Sequence, residues 1–321
     1  MTAGRPDGPV VTPPAVTPEA STTVWVGSPT ERRNPNSHEL DLMSTPEVLQ
    51  LINEADGTVP RAVAAVLDDI ANAVDVAVSA LQAGRRVHYF GAGTSGRLGV
   101  LDAAELPPTF NSPEDWFCAH LAGGPDAMWR AVEDAEDDDE AGAADAAACV
   151  TAGDVAVGLA ASGRTPYVLA ALRTAAALGA RTVLVSGDPR AVSAGEFDVF
   201  VGVDTGPEVV AGSTRMKAAT AQKLVLNAFS TAIMVRLGRV YSNLMVDLVA
   251  TNAKLRGRMI LILMEATGCG EEACRDAIVE AEGDLKTALV SLLSGAAMAE
   301  ARAALAQSDR QVRGALALLA S

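Results

Sequence analysis

The 321-residue chain has few of the residues that mark metal, redox or membrane proteins. Its three histidines are scattered along the sequence and suggest no metal site. Its four cysteines form no CxxC pair and are typical of buried thiols in a cytosolic protein. No apolar run reaches membrane-spanning length, and the first residues lack the basic-then-apolar pattern of a signal peptide. We therefore expect a cytoplasmic protein with no membrane partner.

Basic and aromatic residues are also scarce. Lys and Arg total 25 against 40 Asp and Glu, which gives a net charge of −15. This excess of acid argues against a nucleic-acid partner, and it requires that any anion site be a local electropositive pocket. Aromatics make up 4% of the chain and apolar residues 49%, which is typical of a soluble α-rich or α/β protein.

Composition divides the chain into three parts. Residues 1–28 are rich in Pro, Thr, Gly and Ala without a hydrophobic period, which predicts a disordered tail. Residues 29–257 show alternating strand and helix patterns, whereas residues 258–321 show only short helical patterns separated by glycine. We therefore predict a large α/β domain followed by a small all-helical domain.

Buried strands alternate with helices in the large domain. The predicted strands are 86–90, 116–121, 154–159, 182–185 and 199–203. The predicted helices are 45–54, 60–83, one ending near 105 before two prolines, one opening at 125 with an acidic run, 167–178, one ending near 237, and 243–255. Three short helices, 271–282, 284–293 and 307–319, complete the chain. The alternation predicts a doubly wound parallel sheet with helices on both faces.

The clearest local motif is the glycine-rich loop Gly91–Gly96, between a predicted strand and a predicted helix. Glycines let backbone N–H groups approach an anion, and the helix N-terminus adds donors and the positive end of a dipole. The GxGxxG spacing matches a dinucleotide fingerprint, but the second strand ends in Leu121-Ala-Gly-Gly without the acid that binds ribose. The hydroxyls of Thr94 and Ser95 suit a terminal phosphate instead. A tight turn without a ligand would explain the glycines but not this hydroxyl pair.

A second loop of the same kind, Ser162-Gly163-Arg164-Thr165, follows the third predicted strand. The carboxyl ends of parallel strands meet at one edge of a sheet, which is where ligands bind. Two hydroxyl-rich loops at that edge favour a phosphomonoester over a dinucleotide.

Several charged residues are candidates for chemistry, each with a plainer interpretation beside it. A desolvated carboxyl at a helix C-terminus has a raised pKa and can act as a general acid, which fits Asp102 or Glu105 unless they are solvated. Glu136 lies in a run of seven acids among eight residues, which usually marks a solvated helix face, and nothing local selects it. The turn Gly212–Lys217 could bind a carboxylate or an oxyanion, or could be a helix cap with two exposed cations.

Taken together, these motifs resemble the N-acetylmuramic acid 6-phosphate etherase family. The resemblance covers the chain in order from Thr30 to the C-terminus. A related pattern is that of the glucokinase regulatory protein, a non-catalytic sugar-phosphate sensor. One departure is Ala219, where such families usually have Gly. The segments that carry the resemblance are Thr30–Pro35, Gly91–Gly99, Ala161–Tyr167, Gly206–Lys217 and Asn243–Asn252, together with Lys223 and Asn227.

The resemblance implies a sugar isomerase (SIS) domain with a flavodoxin-like sheet, a small C-terminal domain similar to ubiquitin-associated bundles, and a homodimer with sites near the interface. It implies no metal or organic cofactor. The implied reaction cleaves the ether between D-lactate and C3 of an amino sugar phosphate, N-acetylmuramic acid 6-phosphate, and gives N-acetylglucosamine 6-phosphate. An aldose–ketose phosphate isomerase and a non-catalytic sugar-phosphate-binding regulator are the alternatives.

The resemblance also implies roles for individual residues. Glu105 matches the proton donor, and Glu136 matches a second glutamate that we assign as the base. The expected phosphate-binding residues are Gly93, Thr94, Ser95, Ser162, Gly163 and Thr165. Further expected substrate contacts are Arg164, Glu208, Ser213, Arg215 and Lys217.

Overall fold

The computed structural model describes residues 28–191, 195–248, 250 and 253–320. The tail predicted over residues 1–28 lies outside the described residues except for Ser28, which is buried. Within the described residues no single helix is both long and apolar enough to cross a membrane. Two helices near the C-terminus, Leu285–Ser294 and Met298–Gln307, reach that length and composition only as a pair bent by 110°.

A five-stranded parallel sheet with helices on both faces forms the α/β part of the chain, as predicted. Its strands lie in the order β2-β1-β3-β4-β5. The direction of winding therefore reverses between β1 and β3, and this topological switch point is where such sheets bind ligands. The strands are β1 (Val87–Gly91), β2 (Phe117–Leu121), β3 (Val155–Ala160), β4 (Arg181–Ser186) and β5 (Val199–Gly202).

Helices cover both faces of the sheet. Successive side chains of a strand point to opposite faces, so Tyr89 packs into one apolar cluster and Phe90 into another. The first cluster includes residues of α3, α4 and α7, and the second includes residues of α5 and α6. The helices of this domain are α1 (Thr45–Asp56), α2 (Val59–Ala64), α3 (Leu67–Gln82), α4 (Gly93–Phe110), α5 (Asp139–Cys149), α6 (Pro166–Ala177) and α7 (Lys217–Arg236).

Two predicted helix boundaries in the first half of the chain are wrong. The helix predicted over 60–83 is two helices, α2 and α3, separated by a turn. The helix predicted to end near 105 continues as α4 through Pro107 and Pro108. Proline removes an N–H donor, but Leu106 and Phe110 are buried and hold the last turn against the core. The helix ends at Asn111, whose left-handed backbone has φ +51°.

The helix predicted to open at residue 125 is also absent. Only a short 3-10 helix forms over Pro125–Met128, and turns follow until α5 begins at Asp139. Like charges three or four residues apart disfavour a helix, and the run 133–140 places seven acids together. The helix begins once the Asp138 side chain accepts the N–H of Ala141 as its cap.

The helix predicted over 243–255 is replaced by a hairpin, β6 (Val240–Tyr241) and β7 (Leu244–Met245), and by a later helix, α8 (Ala253–Thr267). Ser242, with φ +54°, turns the chain between the two strands. The C-terminal region has one helix more than expected after α8, and these helices share their own apolar cluster. They are α9 (Glu271–Glu280), α10 (Leu285–Ser294), α11 (Met298–Gln307) and α12 (Val312–Leu319).

Candidate active site

The loop between β1 and α4 is built on backbone contact that only glycine permits. A Cβ on Gly96 would lie 2.5 Å from the carbonyl oxygen of Gly91, and one on Gly91 would lie 2.7 Å from the Gly96 nitrogen. Gly93 opens α4 with φ +53°. The first N–H groups of α4 therefore face the carboxyl edge of the sheet without intrahelical partners. The hydroxyls of Thr94 and Ser95 make no hydrogen bond to another described residue; Thr94 is half-buried at this edge and Ser95 is buried beneath it.

The loop between β3 and α6 has a similar construction. Gly163 has φ +68°, and a Cβ there would lie 2.6 Å from Ser186 Oγ. Ser162 Oγ accepts the N–H of Arg164 at 3.1 Å. Thr165 precedes the first turn of α6 and does not cap it with its side chain. The Arg164 guanidinium is half-exposed and pairs with the buried Asp188 at 3.3 Å, which holds a positive charge beside the loop.

The structure brings these two loops together. Gly91, the last residue of β1, pairs with Leu159 of β3, so the loops leave neighbouring strands at the switch point. The N-termini of α4 and α6 both lie at this edge, and each adds positive potential. N–H groups and hydroxyls thus lie together at one edge of the sheet, an arrangement that suits an anion such as phosphate, and the Arg164 guanidinium beside them is paired with Asp188.

Glu136 lies beside the second loop for a reason that the sequence did not reveal. Its carbonyl oxygen accepts the N–H of Tyr167 at 3.1 Å, which docks the acidic segment on the first turn of α6. The Tyr167 hydroxyl donates to Asp145 at 2.6 Å and fixes α5 against α6. Arg97 of α4 donates to the carbonyl oxygens of Met128 and Arg130, both at 3.1 Å, and ties down the start of the same segment. The Glu136 side chain is exposed. Its backbone partner, Tyr167, lies two residues after Thr165 of the second loop.

The two acids of α4 have different environments. Asp102 faces the core, where it accepts hydrogen bonds from the Tyr89 hydroxyl at 2.8 Å and the Ser230 hydroxyl at 2.9 Å. Burial raises the pKa of Asp102 to about 6, although both hydroxyls oppose the shift. Glu105 lies one turn further along and is exposed. Asp102, and not Glu105, is therefore the desolvated carboxyl of α4.

The loop before α7 places the remaining candidates. Glu208 is fully buried, and its carboxylate accepts the N–H groups of Lys217 at 3.0 Å and Ala218 at 2.9 Å, so it caps α7. Lys217 is buried and donates to the carbonyl oxygen of Pro207 at 3.1 Å. Arg215 is exposed, and Ser213 is half-buried. The side chains of the turn Gly212–Lys217 therefore do not cap α7 themselves, since Glu208 does so, and only Arg215 of its two cations is exposed.

The segment near Thr30 packs against this loop, a contact that sequence reasoning missed. The N–H of Gly212 donates to the carbonyl oxygen of Thr30 at 3.1 Å, and Asn34 Nδ2 donates to Pro207 at 3.5 Å. Two of the motifs that carry the family resemblance are therefore one structural unit. Ala219 lies in the first turn of α7, where its N–H donates to the carbonyl oxygen of Thr214 at 3.0 Å, so the helix forms with Ala at this position.

The three histidines are not all scattered in space. His88 is fully buried in β1. Although the histidines are scattered along the sequence, His120 of β2 and Cys149 of α5 lie beside His88 in space.

Comparison with known proteins agrees with this architecture. The family model of the glucokinase regulatory protein N-terminal SIS domain matches residues 69–176. A phosphoheptose isomerase from Francisella tularensis has a similar fold, with a TM-score of 0.50 and 19% identity over 60% of this chain and 100% of its own. The five-stranded parallel sheet and its two glycine-rich loops thus define a SIS-domain protein of the doubly wound α/β class.

Sequence relatives narrow this class to one family. The N-acetylmuramic acid 6-phosphate etherase of Thermobifida fusca is 61% identical over 84% of this chain and 88% of its own length. That of Pectobacterium atrosepticum is 50% identical over 89% of this chain and 95% of its own length. The chain belongs to the N-acetylmuramic acid 6-phosphate etherase family.

Proposed function

We propose that this chain cleaves the D-lactyl ether of N-acetylmuramic acid 6-phosphate and releases D-lactate and N-acetylglucosamine 6-phosphate. The observation that carries the proposal is the pair of hydroxyl-rich loops at the switch point, with Glu136 docked against one of them. The substrate is inferred from the etherases to which this chain is similar, and the two loops are the proposed binding site of its phosphate.

The phosphate is held by the hydroxyls of Thr94, Ser95, Ser162 and Thr165 and by the first N–H groups of α4 and α6. Gly93 and Gly163 let the backbone approach it closely, and Arg164 adds positive charge. None of these groups touches the bond that breaks. They bind the phosphate, which is distant from the reacting atoms, and this binding energy fixes the positions of C2 and C3 of the sugar.

The reaction is an elimination followed by hydration. The open-chain aldehyde makes the C2 proton acidic, and Glu136 removes it as the base. Glu105 protonates the ether oxygen at C3 as the lactate leaves, which forms a C2–C3 double bond. Water then adds across that bond, so the sum is one ether and one water converted to two alcohols. One ionised and one protonated carboxyl are the minimum set for this chemistry.

Glu105 serves the site of a partner subunit in a homodimer. Because α4 is one unbroken helix, Glu105 lies ten residues beyond Ser95, or about 15 Å along the axis. That is longer than the distance from the phosphate to C3 within one sugar. Leu101, one turn before Glu105, is 49% exposed, and Lys223 and Asn227 are exposed on the neighbouring α7. An interface through α4 and α7 would cover these side chains and bring Glu105 to the other loop pair.

The direct test incubates the purified chain with N-acetylmuramic acid 6-phosphate and measures free D-lactate. We expect release by the wild-type chain, no release by Glu105→Ala, and continued exchange of the C2 proton with deuterated solvent in that variant. Full D-lactate release by Glu105→Ala would refute the assignment of the acid. Binding without turnover would indicate a regulator, and conversion of an aldose phosphate to its ketose without D-lactate would indicate an isomerase.

Mixing two inactive variants tests the shared site. Glu105→Gln removes the acid, and Ser162→Ala with Thr165→Val disables the phosphate loop. A mixed dimer has one site with both parts intact, so random mixing should restore about a quarter of wild-type activity. No recovery, with mixed dimers shown by native mass spectrometry, would place both parts of the site in one chain.

We also assign the chain to the cytoplasm. Its substrate is a phosphorylated sugar, and its four cysteines are free thiols in the described structure, as in a reducing compartment.

A further inference from the structure

A group of metal-ligating side chains lies on the face of the sheet below the loop edge. His88 and Phe90 of β1 share this face with Cys118 and His120 of β2, because residues two apart on a strand point the same way. Cys149, the last residue of α5, lies beside the two histidines and completes the group. Among the described residues, His88, His120 and Cys149 are the one such group whose ligand atoms all lie within 4.8 Å of one another. The proposed reaction uses none of them.

The spacing of these atoms is close to that around a tetrahedral zinc ion. Zn–N bonds of about 2.0–2.1 Å and Zn–S bonds of about 2.3 Å place ligand atoms about 3.4 Å (N to N) and about 3.6 Å (N to S) apart. His88 Nδ1 lies 3.1 Å from His120 Nε2, and Cys149 Sγ lies 3.5 Å from the same nitrogen. An ion between the three atoms would move the two nitrogens apart by about 0.3 Å, and the third pair, His88 Nδ1 and Cys149 Sγ, lies within 4.8 Å.

The other ring nitrogen of His88, Nε2, lies beside a carboxylate, as the second ring nitrogen of a metal-bound histidine usually does. His88 Nε2 is buried, makes no well-aligned hydrogen bond to a described residue, and lies 3.4 Å from Asp154 Oδ2. Asp154 is held in place by the N–H groups of Arg86 at 2.9 Å and Thr151 at 2.8 Å. A carboxylate beside Nε2 favours the tautomer with its proton there, which leaves the Nδ1 lone pair facing His120.

An ion would have an access route on the His120 side of the group. His120 and Asp145 line a surface cleft together with Gly124 and Trp129, and Trp129 is 84% exposed. Water can reach the group from this side. The Cys149 thiol donates to the carbonyl oxygen of Asp145 at 2.9 Å, and metal binding would release that proton.

We propose that His88 Nδ1, His120 Nε2 and Cys149 Sγ bind a divalent ion of the zinc class, with water as the fourth ligand. Two imidazoles and a thiolate select such an ion over magnesium or calcium, which prefer oxygen. The bound ion would fasten β1, β2 and α5 to one another. His88 is three residues before Gly91, so the ion would stabilise the strand that carries the first phosphate loop.

The experiment treats the full-length chain with a chelator, reconstitutes it with Co²⁺, and records its absorption spectrum. We expect about one Co²⁺ per chain, ligand-field bands of tetrahedral intensity, and a near-ultraviolet charge-transfer band from the thiolate. Competition with a chromophoric chelator then measures the affinity for Zn²⁺. Cys149→Ser should abolish the charge-transfer band, and both Cys149→Ser and His120→Asn should weaken Zn²⁺ binding by at least about 100-fold.

The controls are His38→Ala and Cys269→Ser, which remove a histidine and a cysteine outside the group and should bind as the wild-type chain does. Circular dichroism establishes that each variant is folded, and the thiolate band of the wild-type chain needs no variant at all. A wild-type chain that binds no stoichiometric Co²⁺, or whose Co²⁺ spectrum lacks the thiolate band, would overturn the proposal. So would unchanged Zn²⁺ affinity in folded Cys149→Ser.

Discussion

Replacing Asp102 with Asn should stabilise the fold at neutral pH. Asp102 is a half-buried ionisable group between β1, α4 and α7, and its carboxylate accepts hydrogen bonds from the hydroxyls of Tyr89 and Ser230, with the Lys223 ammonium as a weaker favourable charge. Water would solvate that charge better than two hydroxyls do. An Asn side chain keeps one oxygen to accept from one hydroxyl and offers an N–H₂ group to the other, so it retains the contacts without the charge.

The magnitude follows from the pKa of Asp102, which rises from 3.8 to about 6 on folding, a difference that corresponds to about 3 kcal/mol. Between these two values the folded chain binds a proton that the unfolded chain has lost. The free energy of unfolding contributed by Asp102 therefore falls as the pH rises through this window, and it stays low above about pH 6. Asp102→Asn removes this loss, so about 3 kcal/mol is the upper limit of its gain near pH 7.

Urea unfolding of both chains at a series of pH values measures the difference. The gain of Asp102→Asn should be near zero at about pH 3.5, increase to about pH 6, and then level off. Asp276→Asn, which neutralises an exposed carboxylate in α9, is the matched control and should show no such increase. Lower stability of Asp102→Asn at neutral pH, or a gain that does not vary between about pH 4 and 6, would refute the reasoning.

Three further predictions address the loops and the C-terminal region. Gly96→Ala should lower the free energy of unfolding by more than about 3 kcal/mol, because its Cβ would meet the carbonyl oxygen of Gly91; thermal denaturation measures this, and near wild-type stability would contradict it. Arg97→Ala should remove the hydrogen bonds to the carbonyl oxygens of Met128 and Arg130 and reduce kcat/KM for D-lactate release about tenfold at nearly unchanged melting temperature. Unchanged kinetics would show that these two hydrogen bonds do not position the acidic segment. Asp247→Ala should destabilise the chain by about 3 kcal/mol in urea unfolding, because it leaves the buried Lys286 ammonium and the Arg239 guanidinium without their 2.9 Å partner, and adding Lys286→Met should restore the part of the loss that is due to Lys286.

The strands could be predicted because both faces of the sheet are buried. A strand covered on both faces is mostly apolar, so β3 is an apolar run after Asp154, and the centre of β4, Val183–Val185, is an apolar run shortly before Gly187. The glycine-rich loops could be predicted for a related reason, since the contact between Gly91 and Gly96 permits no side chain at either position. In both cases the structure restricts which residue types can occupy the position, so the sequence itself shows the restriction.

The errors lie where tertiary contacts decide the local structure. Two prolines normally end a helix, but the buried side chains of Leu106 and Phe110 extend α4 past them. Glu136 could not be selected among its acidic neighbours because its position depends on a backbone hydrogen bond to Tyr167, which any residue at 136 could accept. The proximity of His88 to His120 depends on the pairing of β1 with β2, which the separate patterns of the two strands do not contain.

The half-buried Asp102 has a place in the site because the direction of α4 sets the position of Glu105. The first turn of this helix carries the phosphate donors, and Glu105 lies about 15 Å along the axis, so the direction of the helix determines where the acid arrives. The Asp102 carboxylate joins α4 to β1 through Tyr89 and to α7 through Ser230, one turn before Glu105. An apolar residue could fill the same space without a desolvation penalty, but it would not fix the helix to two neighbours by directional bonds. The Asp102 charge thus lowers the stability of the fold, but its two hydrogen bonds fix α4 next to Glu105, where a rotation of the helix would most displace that side chain.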